Sequence, residues 1–366
     1  MINGATPRAP GCSTPYAIGT MPSRPVVYSV GMEGSGETRL DLLAIGETLV
    51  DFISVEQTDW LRNAATFRRY LGGSPANIAV NLARLGGEAA VISKTGIGAF
   101  GQFAKSELQR HGVAVEYLIM DHRNRTTVAF VSSTTGRPDF EVARSGDYLL
   151  RPEEVSEEAV ERAKVVHAST FALSREPCRS AVRKVFRLAH EQGKVVSLDP
   201  NYSNRIWPNH KEARGVLEEM YRYVDITKPS LDDADRIFGR EHAPERYVEM
   251  FHDLGAGKVV LTMGKEGVLI SDNGHLLGHV PARPVQVRDV TGAGDAFWAG
   301  FLISMLDGNP LMRCALFARE LVELKLQGVG PLPLEIDRQE LYARTEKEYA
   351  GYEGYKREIG PRPEMT

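Results

Sequence analysis

Hydrophobic and polar positions along this chain switch repeatedly between a period of two and a helical period. An apolar run at 40–46 predicts a first buried strand, and 47–53 continues it past Gly46. Residues 54–71 read as a polar loop with short extended pieces, 67–70 among them. Ile78, Leu82 and Leu85 recur at helical spacing over 77–85, and Gly86-Gly87 stops that helix. Residues 89–93 predict a strand and 103–110 a helix. At 126–133 the period falls to two, turn residues fill 134–138, and 139–143 return, which predicts an antiparallel hairpin. From Val155 strands and helices alternate again: strands at 165–168, 195–198, 225–227 and 258–261, helices at 176–192, 211–221, 231–238 and 246–254. Asp272-Asn273-Gly274 marks a hairpin between 268–270 and 275–280. Residues 285–288 alternate as a further strand, and 296–306 form a helix with Phe297, Phe301 and Met305 on one face. Residues 334–358 are charged and read as helical. Such a rhythm implies an α/β fold, a mostly parallel sheet with helices on both faces. Ligands of such sheets collect beyond the C-terminal strand ends.

Residues 1–38 break this pattern. They are rich in Pro, Gly, Ser and Thr, and their first acidic residue is Glu33. Without hydrophobic periodicity they cannot bury enough to order themselves. A flexible tail, a targeting segment and an extension from an early start codon all remain open, with Met21 and Met32 as internal starts. A disordered or spurious extension is favoured, because the Pro density does not suit a transit helix.

The 366 residues are 42% hydrophobic and 25% charged, as expected of a soluble globular chain. A net charge of -4 argues against nucleic acid as a partner. No apolar run reaches the roughly 18 residues of a membrane span. Cys12, Cys178 and Cys314 form neither a disulfide framework nor a zinc spacing, so a cytoplasmic location is expected. His275 and His279 lie on a predicted strand with Gly278 between them, and read as surface residues rather than metal ligands.

Chemistry concentrates at Asp289-Val290-Thr291-Gly292-Ala293-Gly294-Asp295, between the predicted strand 285–288 and the helix that follows. A glycine-rich turn at a helix N-terminus directs free N–H groups outward, and the helix dipole favours negative charge there. Asp295, in the first turn, adds a carboxylate to that anion cradle. The pair makes sense if the carboxylate takes a proton from a hydroxyl while the amides hold a phosphoryl group. A tight strand-to-helix connection with an Asp cap is the plainer alternative.

This stretch resembles the C-terminal signature of the ribokinase-like (phosphofructokinase-B type) sugar kinases. Residues 72–87, from Gly72-Gly73 through Asn77 to Leu85-Gly86, are similar to the family's N-terminal signature, in the family's order. The resemblance runs from about 40 to 330 and is nearest to fructokinases and 2-keto-3-deoxygluconate kinases. It implies a ribokinase-like domain at 39–332, with a small β-sheet lid drawn from about 51–73 and 124–145, followed by a charged helix and tail at 333–366. It also implies ATP and Mg²⁺ as cofactors, a small sugar or sugar acid as acceptor, and a homodimer through the lid.

The resemblance assigns roles residue by residue. Asp295 is the catalytic base, and Gly292, Ala293, Gly294 and Arg205 hold the transferred phosphate. Lys228, Ser230, Thr262, Gly264 and Gly267 lie at the nucleotide, and Asp233 at Mg²⁺, directly or through water. Asp51, Gly72, Gly73, Asn77, Arg144 and Asn201 face the substrate. Asp289, with carbonyls of Gln327-Gly328-Val329-Gly330, is a potential K⁺ site. Several of these also have ordinary structural readings: Ser230 as an N-cap, Asn77 as a helix cap, Asp51 as a solvated strand end. The chain departs from the family at Ser203, Ser230 and Arg319. These departures keep open a non-catalytic sugar- or nucleotide-binding member; among enzymes, a nucleoside kinase is the other alternative.

Overall fold

The pleat of the first strand divides the interior in two. In β1 (Leu40–Ile45), Leu43 and Ile45 join the core on one side of the sheet, and Leu42 and Ala44 the core on the other. A strand buried on both faces needs apolar residues at every position, which is why this run shows no alternation. The structure, a computed structural model, describes residues 39–136, 138–207, 209–328, 330–333 and 336–359. The expected extension at 1–38 and the tail from 360 lie outside these residues.

The next strands are β2 (Leu49–Gln57), β3 (Phe67–Gly72), β4 (Ala89–Gly96), β5 (Leu118–Asp121), β6 (Val128–Ser133), β7 (Phe140–Ala143) and β8 (Ala163–Ser169). They are followed by β9 (Val195–Asp199), β10 (Ile226–Thr227), β11 (Lys258–Thr262), β12 (Val268–Asp272) and β13 (His275–Val280). Nine of them form one sheet in the order β13-β12-β11-β10-β9-β8-β1-β4-β5, parallel except at β12 and β13. The other four form a separate sheet, β3-β2-β6-β7. Helix Cys178–Glu191 packs Val182, Val185, Phe186 and Ala189 on one face of the large sheet. Helices Ser74–Arg84, Ala293–Leu306 and Leu311–Leu326 cover the other.

Helix Ala293–Leu306 is apolar on all sides and buried from Ala296 to Met305, as a helix without a polar face must be. Each fully buried Phe or Leu there contributes about 1.5–3 kcal/mol before entropy. The indole N–H of Trp298 donates to Ser197 Oγ at 2.9 Å, so its one polar atom is satisfied.

Three expectations are corrected. Residues 47–53 do not continue the first strand. Gly46, at φ 146, turns the chain out of the large sheet, and β2 opens the small one. A β-carbon there would lie 3.0 Å from Pro75 Cγ and 3.1 Å from Ala172 Cβ. The polar loop expected at 54–71 is shorter: β2 runs on to Gln57, and the extended piece expected at 67–70 is β3, which pairs antiparallel with β2. Residues 285–288 are not a strand. Pro281 and Pro284 remove backbone donors just before them, and Arg288 N–H donates to Leu326 O instead. The hairpin at 126–143 forms as expected, from β6 and β7.

Candidate active site

The glycine-rich turn ends in a left-handed residue. Gly292, at φ 75, caps helix Ala293–Leu306; Ala293 N–H closes the turn onto Val290 O at 3.1 Å, and the amides after it open the helix N-terminus. Asp295 lies in that first turn. Its Oδ1 accepts from Ser74 Oγ at 2.7 Å and its Oδ2 from Asn77 Nδ2 at 2.9 Å. Both donors come from the start of helix Ser74–Arg84, so the two signature stretches meet at this carboxylate. Removal from bulk water pushes Asp295 up to about 6, against the Asn77 and Ser74 hydrogen bonds that hold it down.

Gly72 and Gly73 make the approach possible. A β-carbon on Gly72 would overlap the Asp51 carboxylate, and one on Gly73, at φ 100, would overlap the Glu47 carbonyl. Asp51 shares a cleft of about 370 Å³ with Asn77, Thr291 and Gly292. Burial, then the nearby Asp295, pushes Asp51 up to about 7. Two carboxylates with raised pKa values, close enough for Asp295 to act on Asp51 and beside a helix N-terminus, suit proton transfer better than structural pairing. Glu47 is buried behind them, accepting from Ser74 N and Ser169 Oγ, and burial raises it to about 8.

A second group lies at the C-terminal ends of β9, β10 and β11. Lys228 Nζ pairs with Asp199 at 2.9 Å, both side chains buried. Burial opposes the charge on Lys228, but Asp199, with Asp233 and Asp295 behind it, holds its pKa up. A β-carbon on Gly294 would lie 3.4 Å from Lys228 Nζ, so this ammonium sits against the same helix start. Ser230 caps helix Leu231–Phe238 in a reciprocal box with Asp233. Asp233 Oδ1 accepts from Tyr202 N at 2.6 Å, and Oδ2 from Ser230 N and Oγ at 2.9 and 2.5 Å. Burial, then Asp199, raises Asp233 to about 6. Thr262 N–H bonds to Pro229 O, and Gly264 and Gly267 bound the short turn after β11. Gly267, at φ 95, leaves no room for a β-carbon beside Val280 O. Asn201, at φ 37, donates its N–H to Asp199 Oδ1 at 3.1 Å.

Two expected contacts are engaged elsewhere. Arg205 pairs with Asp139 and Phe140 O, each at 2.6 Å, and lines a different cleft with Phe67 and Phe130. Arg144 is buried against Asp147, donates to Ser174 Oγ at 2.5 Å and stacks on Phe171. Both guanidiniums thus tie the small sheet to the large domain. Arg319 is likewise occupied, bound twice to Glu348 of helix Arg338–Ile359.

Sequence reasoning passed over Ser74, Glu47 and Lys325. Ser74 directly follows Gly73 and was within reach, whereas Glu47 stands four residues before Asp51. Lys325 carried no local signal. Its Nζ lies 3.7 Å from Asp289 Oδ2, in the last turn of helix Leu311–Leu326. The suggested carbonyl loop includes residue 329, outside the described residues.

Comparison with known proteins bears on what this arrangement is. Residues 39–335 match the family described as pfkB family carbohydrate kinase. An ATP-dependent 6-phosphofructokinase of Thermoanaerobacterium thermosaccharolyticum is 35% identical, covering 81% of this chain and 91% of its own. The solved fructokinase of Halothermothrix orenii is 39% identical with a TM-score of 0.68, covering 80% of this chain and all (100%) of that one. A Vibrio cholerae fructokinase solved with fructose, ADP and potassium ion is 25% identical with a TM-score of 0.74, covering 84% of this chain and 99% of its own.

Proposed function

The chain belongs to the pfkB family of carbohydrate kinases and is an ATP-dependent sugar kinase, and we propose that its acceptor is a hydroxyl of a fructose-type sugar. The observation that carries this reading is the meeting of Asp295, Ser74 and Asn77 at the helix start behind Gly292. In the proposed reaction Asp295 accepts the proton of the attacking hydroxyl. The amides of Gly292, Ala293 and Gly294 stabilise charge on the transferred phosphoryl group. Asp51 and Asn77 hold sugar hydroxyls, and Gly72 and Gly73 let the backbone approach the ring. Lys228 supports the helix start from its buried pair with Asp199. Thr262, Gly264 and Gly267 accommodate the nucleotide. Magnesium would offset phosphate charge near Ser230 and Asp233. Because both Asp233 oxygens already accept hydrogen bonds, it would be held through water. Arg205 and Arg144 have no part in this step.

Arg69, Arg84 and Arg110 line the same cleft, opposed by Asp51 and Glu107. They favour a second reading, in which the acceptor carries an anionic group of its own, as a sugar phosphate or a sugar acid such as 2-keto-3-deoxygluconate does. A thermal-shift screen separates the readings. Fructose, fructose 6-phosphate, 2-keto-3-deoxygluconate and adenosine are each added with and without a non-hydrolysable ATP analogue. A true acceptor at ~100 times its Kd stabilises by about 2.7 kcal/mol. Stabilisation by adenosine alone would point to a nucleoside kinase and against this proposal.

The pKa of Asp295 sets the pH dependence. A base must be ionised, so kcat should fall as pH drops through about 6. A kcat that is flat from about pH 5 to 8 would exclude Asp295 as the base.

A homodimer through the small sheet is part of the proposal. Val55, Trp60 and Phe130 are 49%, 55% and 37% exposed there, an apolar face that a second copy would cover. Sedimentation should give a dimer that Phe130→Glu splits; a wild-type monomer would refute it. No helix among the described residues is long and apolar enough to cross a membrane. The two described cysteines, Cys178 and Cys314, are free, in keeping with a cytoplasmic location.

A further inference from the structure

The turn that bears the candidate anion cradle rests on a buried carboxylate and a buried ammonium. Asp289 is fully buried. Its Oδ1 accepts from Thr291 N at 3.1 Å and from Thr291 Oγ1 at 2.8 Å, which fixes the first bend of the turn. Its Oδ2 has no hydrogen-bond partner among the described residues. Lys325 Nζ faces that oxygen at 3.7 Å, on a side chain only 5% exposed, and it too has no hydrogen-bond partner among the described residues. A β-carbon on Gly292 would lie 3.7 Å from Lys325 Cε, so the end of the lysine lies directly against the turn. Burial lowers the Lys325 pKa, while Asp289 and then Asp295 favour its charged form.

Neither charge is stable alone in such a place, because an isolated buried ion has lost its hydration without compensation. Each is the other's counter-ion. A potassium ion bound to Asp289 would need Oδ2, the oxygen that Lys325 already faces. It would then sit beside a like charge in a region of low dielectric. The residues present therefore do not fit a free monovalent cation at this carboxylate.

We propose that Lys325 is the resident cation of this turn. Its ammonium takes the position beside Asp289 that a potassium ion would occupy, and it holds the Gly292–Gly294 amides in the orientation a phosphoryl group needs. The proposal rests on the kinase reading of the same turn. Lys325 acts through the turn and is a positioning residue. Kinase activity in this chain is then independent of monovalent cations.

The test compares the full chain in potassium chloride and in tetramethylammonium chloride at equal ionic strength, by melting temperature and by kcat. Wild type should melt at the same temperature and turn over at the same rate in both salts. Lys325→Met, which keeps the length of the side chain without its charge, should lose roughly 10²-fold in kcat, the scale of a small misplacement of positioned groups. Potassium should restore much of that loss and raise the melting temperature of the variant, but not that of the wild type. Several-fold activation of the wild type by potassium would overturn the proposal. So would a Lys325→Met protein with full activity in tetramethylammonium, or a loss that potassium does not repair. The wild-type comparison decides even if the variant does not fold. The melting arm needs no turnover, so absence of any sugar-dependent ADP release would sink the kinase reading and leave Lys325 to be judged separately.

Discussion

Asp295→Asn should lower kcat by roughly 10²–10⁴-fold, the range expected when a general base is removed. The substitution keeps the shape of the side chain and removes only its capacity to take a proton. Ser74 Oγ and Asn77 Nδ2 both donate to the present carboxylate. An asparagine can accept from Asn77 Nδ2 through its oxygen and donate its amide to Ser74 Oγ, which accepts as readily as it donates, so stability should change little. Binding of a non-hydrolysable ATP analogue, followed by calorimetry, should change little, because the amides of the helix start remain. Near-full kcat in the variant would remove Asp295 from the mechanism.

Lys228→Met should be the most destabilising single change at the site. Lys228 and Asp199 pair at 2.9 Å with side chains 5% and 4% exposed. Removing one partner leaves the other charge buried without compensation, at a cost of roughly 3–5 kcal/mol. The same change removes the ammonium beneath Gly294, so kcat should fall as well. Stability and rate separate in the double variant Lys228→Met/Asp199→Leu. Replacing both ions by apolar groups should recover most of the midpoint of urea unfolding and leave kcat low. A double variant as unstable as the single one would mean that the pair is not the source of the loss.

What could be read from the sequence depended on whether the deciding constraint was local. The turn at Gly292 and the pair Gly72-Gly73 were legible because backbone conformation and close approach demand glycine there whatever surrounds them. The parallel sheet was legible because strands buried on both faces leave uninterrupted apolar runs. Gly46 was misread because a glycine inside an apolar run does not reveal that the chain changes sheets. Residues 285–288 alternate like a strand, but Arg288 bonds to Leu326 O rather than to a neighbouring strand. Arg144 and Arg205 have side chains long enough to reach several partners, and only the tertiary fold decides between a ligand and Asp147 or Asp139. Lys325 meets Asp289 across two helices, and nothing next to it in sequence marks it as more than a helix residue.

The central claim is that Asp295, bonded to Asn77 beside the Asp51 cleft, serves transfer of a phosphoryl group from ATP to a sugar hydroxyl. Phosphorus NMR of the wild-type protein with ATP, magnesium and fructose or fructose 6-phosphate tests it most directly. The account predicts ADP and one new sugar phosphate resonance appearing in equal amounts, with neither formed at a comparable rate by Asp295→Asn. Wild-type protein that binds both ligands yet forms no sugar phosphate, or that releases ADP and inorganic phosphate regardless of sugar, would contradict it.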